Sequence, residues 1–180
     1  MLIVDQNMQR ILRVSANATV GTVLVAGSDK VTSRKAMFDA RLLNLYFMQY
    51  SNCVLQKIYN GSTTSTIVFG QDCGASLQQF SSNAVFTMDS AGNFYIADNF
   101  NHRVLYIPFG GTTGSVLAGV TAEAGSDNMH LYHPQDIAFN ETEGVIYVGD
   151  SFNHRIMRYT VGSLDGTVVA GGNGPGNAAK

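Results

Sequence analysis

Several features that whole classes of protein require are scarce in this chain. Its 180 residues include no tryptophan, three prolines and two cysteines, and 13% of them are charged. No apolar run approaches the roughly 18 residues that cross a membrane as a helix. A net charge of −2 creates no general field that attracts nucleic acid. Cys53 and Cys73 are too few for a disulfide framework. Their spacing does not settle whether they pair, and we favour two unpaired thiols.

Signals of export are mixed. The first residues do not form a signal peptide, because they lack a basic segment and because Asp5 and Gln6 interrupt the apolar stretch. Three N-glycosylation sequons begin at Asn17, Asn60 and Asn140. We expect an extracellular location on the strength of these sequons.

Internal repetition is the main feature that is present. The pattern Asp-x-x-Asn-His-Arg occurs over 98–103 and again, after 52 residues, over 150–155. Each copy runs on to a similar ending, at Gly119 and at Gly171. A third copy has Asp5 and Arg10 at the same separation and ends at Gly27. Self-similarity at such a period is the signature of a repeat architecture.

A fourth copy is degenerate, and it lies between the copy that ends at Gly27 and the copy that contains residues 98–103. Asp39 matches Asp89 at a shift of 50 residues, and the copy ends at Gly70. If the match continues without a gap, Met48 stands at the position of the aspartate and Cys53 at that of the arginine. The stretch from Arg34 to Phe47 also fits an amphipathic helix with Met37, Ala40 and Leu43–Leu45 on one side, but the repeat match favours strands.

The copies predict the blades of a β-propeller. Their closing glycines are 43 to 52 residues apart, and one blade takes about 40–50 residues. Each copy contains short β-prone runs separated by polar turns, as a four-stranded blade requires. We therefore predict an all-β partial propeller of about three and a half blades. The copies cover approximately 1–27 (partial), 33–70 (degenerate), 83–119 and 134–171, and 172–180 is a linker into a further blade.

The two best copies resemble the NHL repeat, which is named after the residues that Asn101-His102-Arg103 and Asn153-His154-Arg155 supply here. The segment His133-Pro-Gln-Asp-Ile-Ala also resembles the family pattern, and the ending Thr167-Val-Val-Ala-Gly-Gly-Asn-Gly resembles that of animal proteins with many such repeats. The resemblance implies a closed ring, commonly of six blades. We therefore expect this chain to be an arc of a larger ring, with self-association through its open blade edges as the alternative.

The repeated residues divide into two groups. We expect the pairs Asp98/Arg103, Asp150/Arg155 and Asp5/Arg10 to be structural, because the aspartate can accept turn N–H groups and the arginine fork can bind that carboxylate and turn carbonyls. Candidate ligand contacts lie on the rim turns and on the linker from Thr121 to His133. These candidates are Asn99, Asn101, His102, Ser151, Asn153 and His154.

The function that these features favour is a non-enzymatic protein-interaction scaffold without cofactor or metal, with a glycan as a second class of partner. No nucleophile elbow, P-loop or GxGxxG motif is present. The resemblance also raises a propeller-type lyase or lactone hydrolase with an axial metal, but His102, His130, His133 and His154 copy no ligand motif. RNA binding, known for some NHL rings, is disfavoured because 11 basic residues are scattered and outnumbered by 13 acidic ones.

Overall fold

The computed structural model describes residues 1–26, 34–59, 61–62 and 64–176. They form four antiparallel sheets, of which the first has three strands and the others have four. The strands are β1 Leu2–Asp5, β2 Arg10–Arg13, β3 Thr22–Ala26, β4 Ala36–Phe38, β5 Asn44–Gln49, β6 Val54–Tyr59, β7 Ser65–Phe69, β8 Val85–Met88, β9 Phe94–Asp98, β10 Arg103–Ile107, β11 Ser115–Gly119, β12 Pro134–Asn140, β13 Val145–Asp150, β14 Arg155–Thr160 and β15 Thr167–Gly171.

Each sheet is a meander in which strands adjacent in sequence are adjacent in space. Short 3₁₀ turns at Asn99–Asn101 and Ser151–Asn153 join β9 to β10 and β13 to β14. The stretch that also fitted a helix forms β4 and β5, so the prediction of strands is confirmed. No helix in the described ranges is long and apolar enough to cross a membrane.

The hydrophobic core is divided into three clusters, each between neighbouring sheets. One lies between the first and second sheets around Ile11 and Phe47, one between the second and third around Phe86, and one between the third and fourth around Ile146 and Tyr159. The inner sheets therefore bury both faces, which explains why β5 and β9 are continuously buried rather than alternating. The prediction of an all-β propeller built of blades is confirmed.

The blades share one distortion and one closing residue. Gly70, Gly119 and Gly171 all have positive φ, from 76° to 82°, a region in which glycine has no steric penalty. A Cβ atom on Gly119 would meet the carbonyl oxygen of His102. Gly27 lies outside the described residues. A register shift recurs in the last strand pair of each blade, at Ile11/Leu12, Leu55/Gln56, Val104/Leu105 and Ile156/Met157.

The second blade corrects the gapless match. The Asn44 amide donates to the Asp39 carboxylate at 2.7 Å, as the Asn93 amide does to Asp89 at 2.8 Å. In the second blade the two partners are thus five positions apart in sequence, whereas in the third blade they are four positions apart. This longer turn, in which Leu42 has a φ of 57°, shifts the alignment of the second blade with the third by one residue, and the pairing of the strands is unaltered.

The shifted alignment changes which residues of the second blade stand where the third blade has the repeated aspartate and arginine. Gln49 and Val54 face each other where Asp98 and Arg103 do in the third blade. The placement of Met48 and Cys53 at those two positions was therefore wrong by one residue. Cys53, with a φ of 50°, occupies the left-handed position that His102 occupies with a φ of 55°.

The expectation of two unpaired thiols was also wrong. Cys53 and Cys73 form a disulfide, with their Cα atoms 4.9 Å apart. The two residues are 20 positions apart in sequence, and they meet because the turn between β5 and β6 packs against the chain that leads to the third blade. Spacing alone carries no information about that packing.

The blades expose two faces. We call the motif face the end that carries the connections β1–β2, β5–β6, β9–β10 and β13–β14 together with the linkers between blades. The opposite face carries the remaining connections. There the Ser90 hydroxyl and backbone N–H donate to the Glu141 carboxylate and join the third and fourth blades.

Candidate functional site

The repeated Asp–Arg pair of the third blade is enclosed beneath the motif face. Nε of Arg103 donates to Oδ2 of Asp98 at 2.9 Å, and their side chains are 1% and 0% exposed. Oδ1 of Asp98 accepts the N–H and the hydroxyl of Ser81, at 2.8 and 2.7 Å. The Asn101 amide donates to Oδ2 at 2.9 Å. All of this carboxylate's acceptor capacity is directed into the protein.

The Arg103 guanidinium binds the chain that precedes its own blade. It donates to the carbonyl oxygens of Ala75, Ser76 and Gln79, at 2.7, 2.9 and 3.1 Å. A fifth hydrogen bond, of 3.1 Å, reaches the hydroxyl of Thr121 in the following linker. The planar fork suits this because it presents several donors in a fixed geometry. One side chain thus joins a turn to both neighbouring linkers.

The fourth blade repeats the arrangement. Nε of Arg155 lies 2.7 Å from Oδ2 of Asp150, and its other nitrogens donate to the carbonyl oxygens of Ser126, Asp127 and His130 at 2.6 to 3.0 Å. In the first blade the Asp5–Arg10 pair makes the corresponding contact between Nε and Oδ2 at 3.0 Å, but its side chains are 25% and 36% exposed. The Met8 N–H and the Arg10 guanidinium lower the pKa of Asp5.

Several candidate rim residues direct their polar groups inward. Asn99 is buried, and its amide donates to the carbonyl oxygen of Pro134 at 3.0 Å. The amides of Asn101 and Asn153 donate to the carbonyl oxygens of Gly74 and Gly125, at 2.8 and 2.7 Å. These three amide groups are occupied within the fold. Whether any rim residue contacts a ligand stays a prediction.

Five aromatic rings pack together on the motif face, and we call them the ring cluster: Phe100, His102, Tyr132, His133 and Phe152. His133 lies at its centre, with its ring centroid 4.6 Å from those of His102 and Phe152. Tyr132 stacks on His133 at 5.1 Å. Phe100, Phe152 and Tyr132 are 53%, 52% and 38% exposed. The rings come from the third blade, the linker and the fourth blade.

Hydrogen bonds fix the two imidazoles of the ring cluster. The His133 backbone N–H donates to Nδ1 of His102 at 3.2 Å. Nδ1 of His133 lies 3.1 Å from the side-chain oxygen of Asn99, and it is the donor because an amide oxygen only accepts. Burial, and then the neighbouring His133, lower the pKa of His102. An Nδ1 atom that accepts a hydrogen bond carries no proton, so His102 is uncharged in this arrangement.

Sequence reasoning singled out only His102 among these five rings, although the turns and the linker that it proposed as the docking rim contain the other four. Phe100 and Phe152 occupy the same position in the two repeats, 52 residues apart. An apolar residue kept at one place in an otherwise polar turn was the available signal. The contacts of Tyr132 and His133 had no such signal, because they depend on how the linker crosses between blades.

Two groups of polar side chains lie outside the ring cluster: His130 with Asp127, and a cleft that Ser151 lines. In the described ranges, no three His, Cys, Asp or Glu side chains converge in a way that would hold a metal ion. His130 is bound to the Asp127 carboxylate at 2.8 Å. Ser151, a candidate rim residue, lines a cleft of about 480 Å³ together with Arg34, Lys35 and Asp136.

A comparison with known families finds the repeat in the fourth blade. Residues 131–159 match the family model of the NHL repeat. The chain is 32% identical over 75 residues to peptidyl-glycine alpha-amidating monooxygenase A of Xenopus laevis. It is 29% identical over 76 residues to peptidyl-glycine alpha-amidating monooxygenase of Mus musculus. Each match covers 41% of this chain and 8% of the relative.

Solved structures share the fold at low sequence identity. An auxiliary nutrient binding protein from Bacteroides thetaiotaomicron VPI-5482 aligns with a TM-score of 0.68 and 17% identity, over 87% of this chain and 44% of that one. A nidogen/laminin complex contains a chain that aligns with a TM-score of 0.64 and 17% identity, over 92% of this chain and 60% of that one. Because the identities are so low, these similarities concern the fold alone.

Proposed function

We propose that this chain, whose fourth blade matches the NHL repeat, is a non-enzymatic protein-interaction module whose partner docks on the ring cluster. The observation that carries the proposal is the exposure of Phe100, Tyr132 and Phe152 in one contiguous patch. Aromatic side chains are enriched in the residues that dominate binding energy at protein interfaces. Single exposed apolar residues need no explanation, but a contiguous patch of them does.

The support beneath the ring cluster favours binding without rearrangement. Phe100 and Phe152 are held in 3₁₀ turns whose preceding aspartates, Asp98 and Asp150, are fully buried and paired. The Tyr132 N–H donates to the Asp150 carboxylate at 2.6 Å, and the Phe152 N–H donates to the carbonyl oxygen of Tyr132 at 3.1 Å. A surface fixed in advance has less conformational entropy to lose when a partner binds.

The polar groups around the ring cluster support a protein partner over RNA or a reaction. Binding to RNA draws on cationic side chains that reach phosphate, and the Arg103 and Arg155 guanidiniums are directed into the protein. His102 and His133 use their Nδ1 atoms in internal hydrogen bonds. The cluster therefore offers apolar contact area with fixed polar edges.

A display experiment tests the proposal. Peptides selected from a random library on the intact chain should lose binding by at least tenfold to the double variant Phe100→Ser/Phe152→Ser. Phe109→Ser is the matched control, because Phe109 is 69% exposed and lies on the opposite face. Selected peptides that bind the double variant as well as the parent, or a selection that yields no binder, would contradict the proposal.

The competing functions have their own readouts. Stoichiometric zinc or calcium in the chain would favour the lyase or lactone hydrolase. Binding to single-stranded RNA that weakens steeply with salt would favour an RNA-binding role. Binding on a glycan array that the same double substitution removes, without any peptide binder, would replace a protein partner by a glycan. Sedimentation at increasing concentration tests self-association.

A further inference from the structure

The glycosylation sequons are segregated to one face of the blades. Asn17 lies in the connection β2–β3, and the Asn140 sequon begins at the last residue of β12 and runs into the connection β12–β13, so both are on the opposite face. Asn60 lies outside the described residues. The turns of the motif face are also rich in asparagine, and none of these residues begins a sequon: Asn7, Asn52, Asn99, Asn101 and Asn153.

We propose that Asn17 and Asn140 carry N-linked glycans, and that the opposite face is therefore covered by carbohydrate while the motif face stays bare. This goes beyond the proposed function and does not depend on it. The inference rests on where the fold places the two side chains, on the free state of their amide groups and on the disulfide.

Asn17 is accessible. It lies in the exposed turn between β2 and β3, in which the Ala18 N–H donates to the carbonyl oxygen of Ser15 at 3.2 Å. Its φ of 63° is tolerated well by asparagine. Among the described residues its side chain has no hydrogen-bond partner, and Thr19 of the sequon is exposed.

Asn140 is half-buried but leaves the reacting atom free. It ends β12, and its Oδ1 atom accepts the Glu143 N–H at 3.3 Å. Its Nδ2 atom has no hydrogen-bond partner in the described part of the chain. A glycan on Nδ2 preserves the bond to Oδ1, so the turn does not have to open. Thr142 of this sequon is exposed.

The disulfide provides an independent observation about the compartment. Cys53 is fully buried and bonded to Cys73. Disulfides persist in oxidising compartments and are rare where thiols are kept reduced. N-glycosylation of Asn-x-Ser/Thr is likewise a modification of secreted proteins. The disulfide and the two sequons therefore both indicate that the chain passes through an oxidising secretory compartment.

The transfer itself is a substitution at a sugar carbon. Nδ2 of the asparagine forms a bond to the anomeric carbon of an oligosaccharide that is joined to a lipid pyrophosphate. The bond from that carbon to the pyrophosphate oxygen breaks, the lipid pyrophosphate leaves with the electron pair, and Nδ2 loses one proton. No oxidant or reductant takes part.

Secretion from a eukaryotic cell tests the occupancy. The chain is expressed behind a cleavable signal peptide with Asn60→Gln, which removes the third sequon. The intact mass should show two glycans that an N-glycan-specific glycosidase removes from the native protein. Asn17→Gln and Asn140→Gln should each remove one glycan, and so should Thr19→Ala and Thr142→Ala, which keep the asparagines. Occupancy of one site or of neither in the secreted protein would overturn the proposal.

Oxidative footprinting tests which face is covered. Glu141 binds Ser90 of the neighbouring turn, and Phe109 packs against Gly92 of that same turn. Removal of the glycans should therefore raise the labelling rate of Phe109 at least twofold and leave Phe100 and Phe152 unchanged. An equal rise on both faces, or none at Phe109, would overturn the assignment of a bare motif face.

Discussion

Removing the Asp98 carboxylate should destabilise the chain far more than removing its counterpart in the first blade. Asp98 accepts four hydrogen bonds, from the N–H and hydroxyl of Ser81, from Asn101 and from Arg103. Asp98→Ala leaves the Arg103 charge buried without its partner, and breaking a buried pair in this way costs about 3–5 kcal/mol. For a chain of this size that corresponds to a fall of roughly 6–20 °C in Tm.

Urea unfolding followed by circular dichroism and tyrosine fluorescence measures the effect. Asp5→Ala is the matched control, because the Asp5–Arg10 pair has the same geometry but is partly exposed, and it should cost much less. The double variant Asp98→Ala/Arg103→Met should lose less stability than the sum of the two single changes, since neither charge is then left alone.

A particular result would refute this reasoning. If Asp98→Ala changes the free energy of unfolding by no more than the roughly 0.5 kcal/mol typical of surface positions, the buried pair does not hold the blade. Unchanged thermal stability together with lost binding of the selected peptides would assign the repeated aspartate to a ligand instead of to the fold.

Three further predictions concern the disulfide, the imidazoles and a closing glycine. Cys53→Ser/Cys73→Ser should lower the free energy of unfolding by about 3 kcal/mol, because the bridge closes a loop of 20 residues, and mass spectrometry of the unreduced parent should find no free thiol. The pKa of His102 is lowered in the folded chain, so the unfolded chain binds more protons. Stability should therefore be full above the unfolded pKa of about 6.5 and fall as the pH drops below it. His102→Asn should reduce this pH dependence in urea titrations, and an unaltered dependence would argue against the assignment. Gly119→Ala should destabilise by more than about 1 kcal/mol, because its φ is 78° and a Cβ atom would meet the His102 carbonyl oxygen; a neutral effect in thermal unfolding would contradict this.

The blades themselves could be predicted from the sequence because their signals are local. The aspartate and arginine of each pair are only five positions apart, and β9 and β10 pair through a turn between them. Where a turn changed length, the predicted alignment was wrong by one residue. The match beyond Asp39 was continued without a gap, but the hydrogen bond from Asn44 to Asp39 shows that the turn is one residue longer. Register in a hairpin follows the turn, so a single insertion moved the expected positions of the aspartate and arginine to their neighbours.

The sequence by itself determined the repeat, the all-β class and the residues that form each buried Asp–Arg pair, because these depend on strand pairing and turns between residues close in the chain. Only the tertiary structure decided that Cys53 reaches Cys73, that His102 and His133 meet in the ring cluster across 31 positions, and that Asn17 and Asn140 share a face. Those relations depend on how each linker crosses from one blade to the next. The packing of neighbouring sheets fixes that crossing, and no local pattern of residues encodes it.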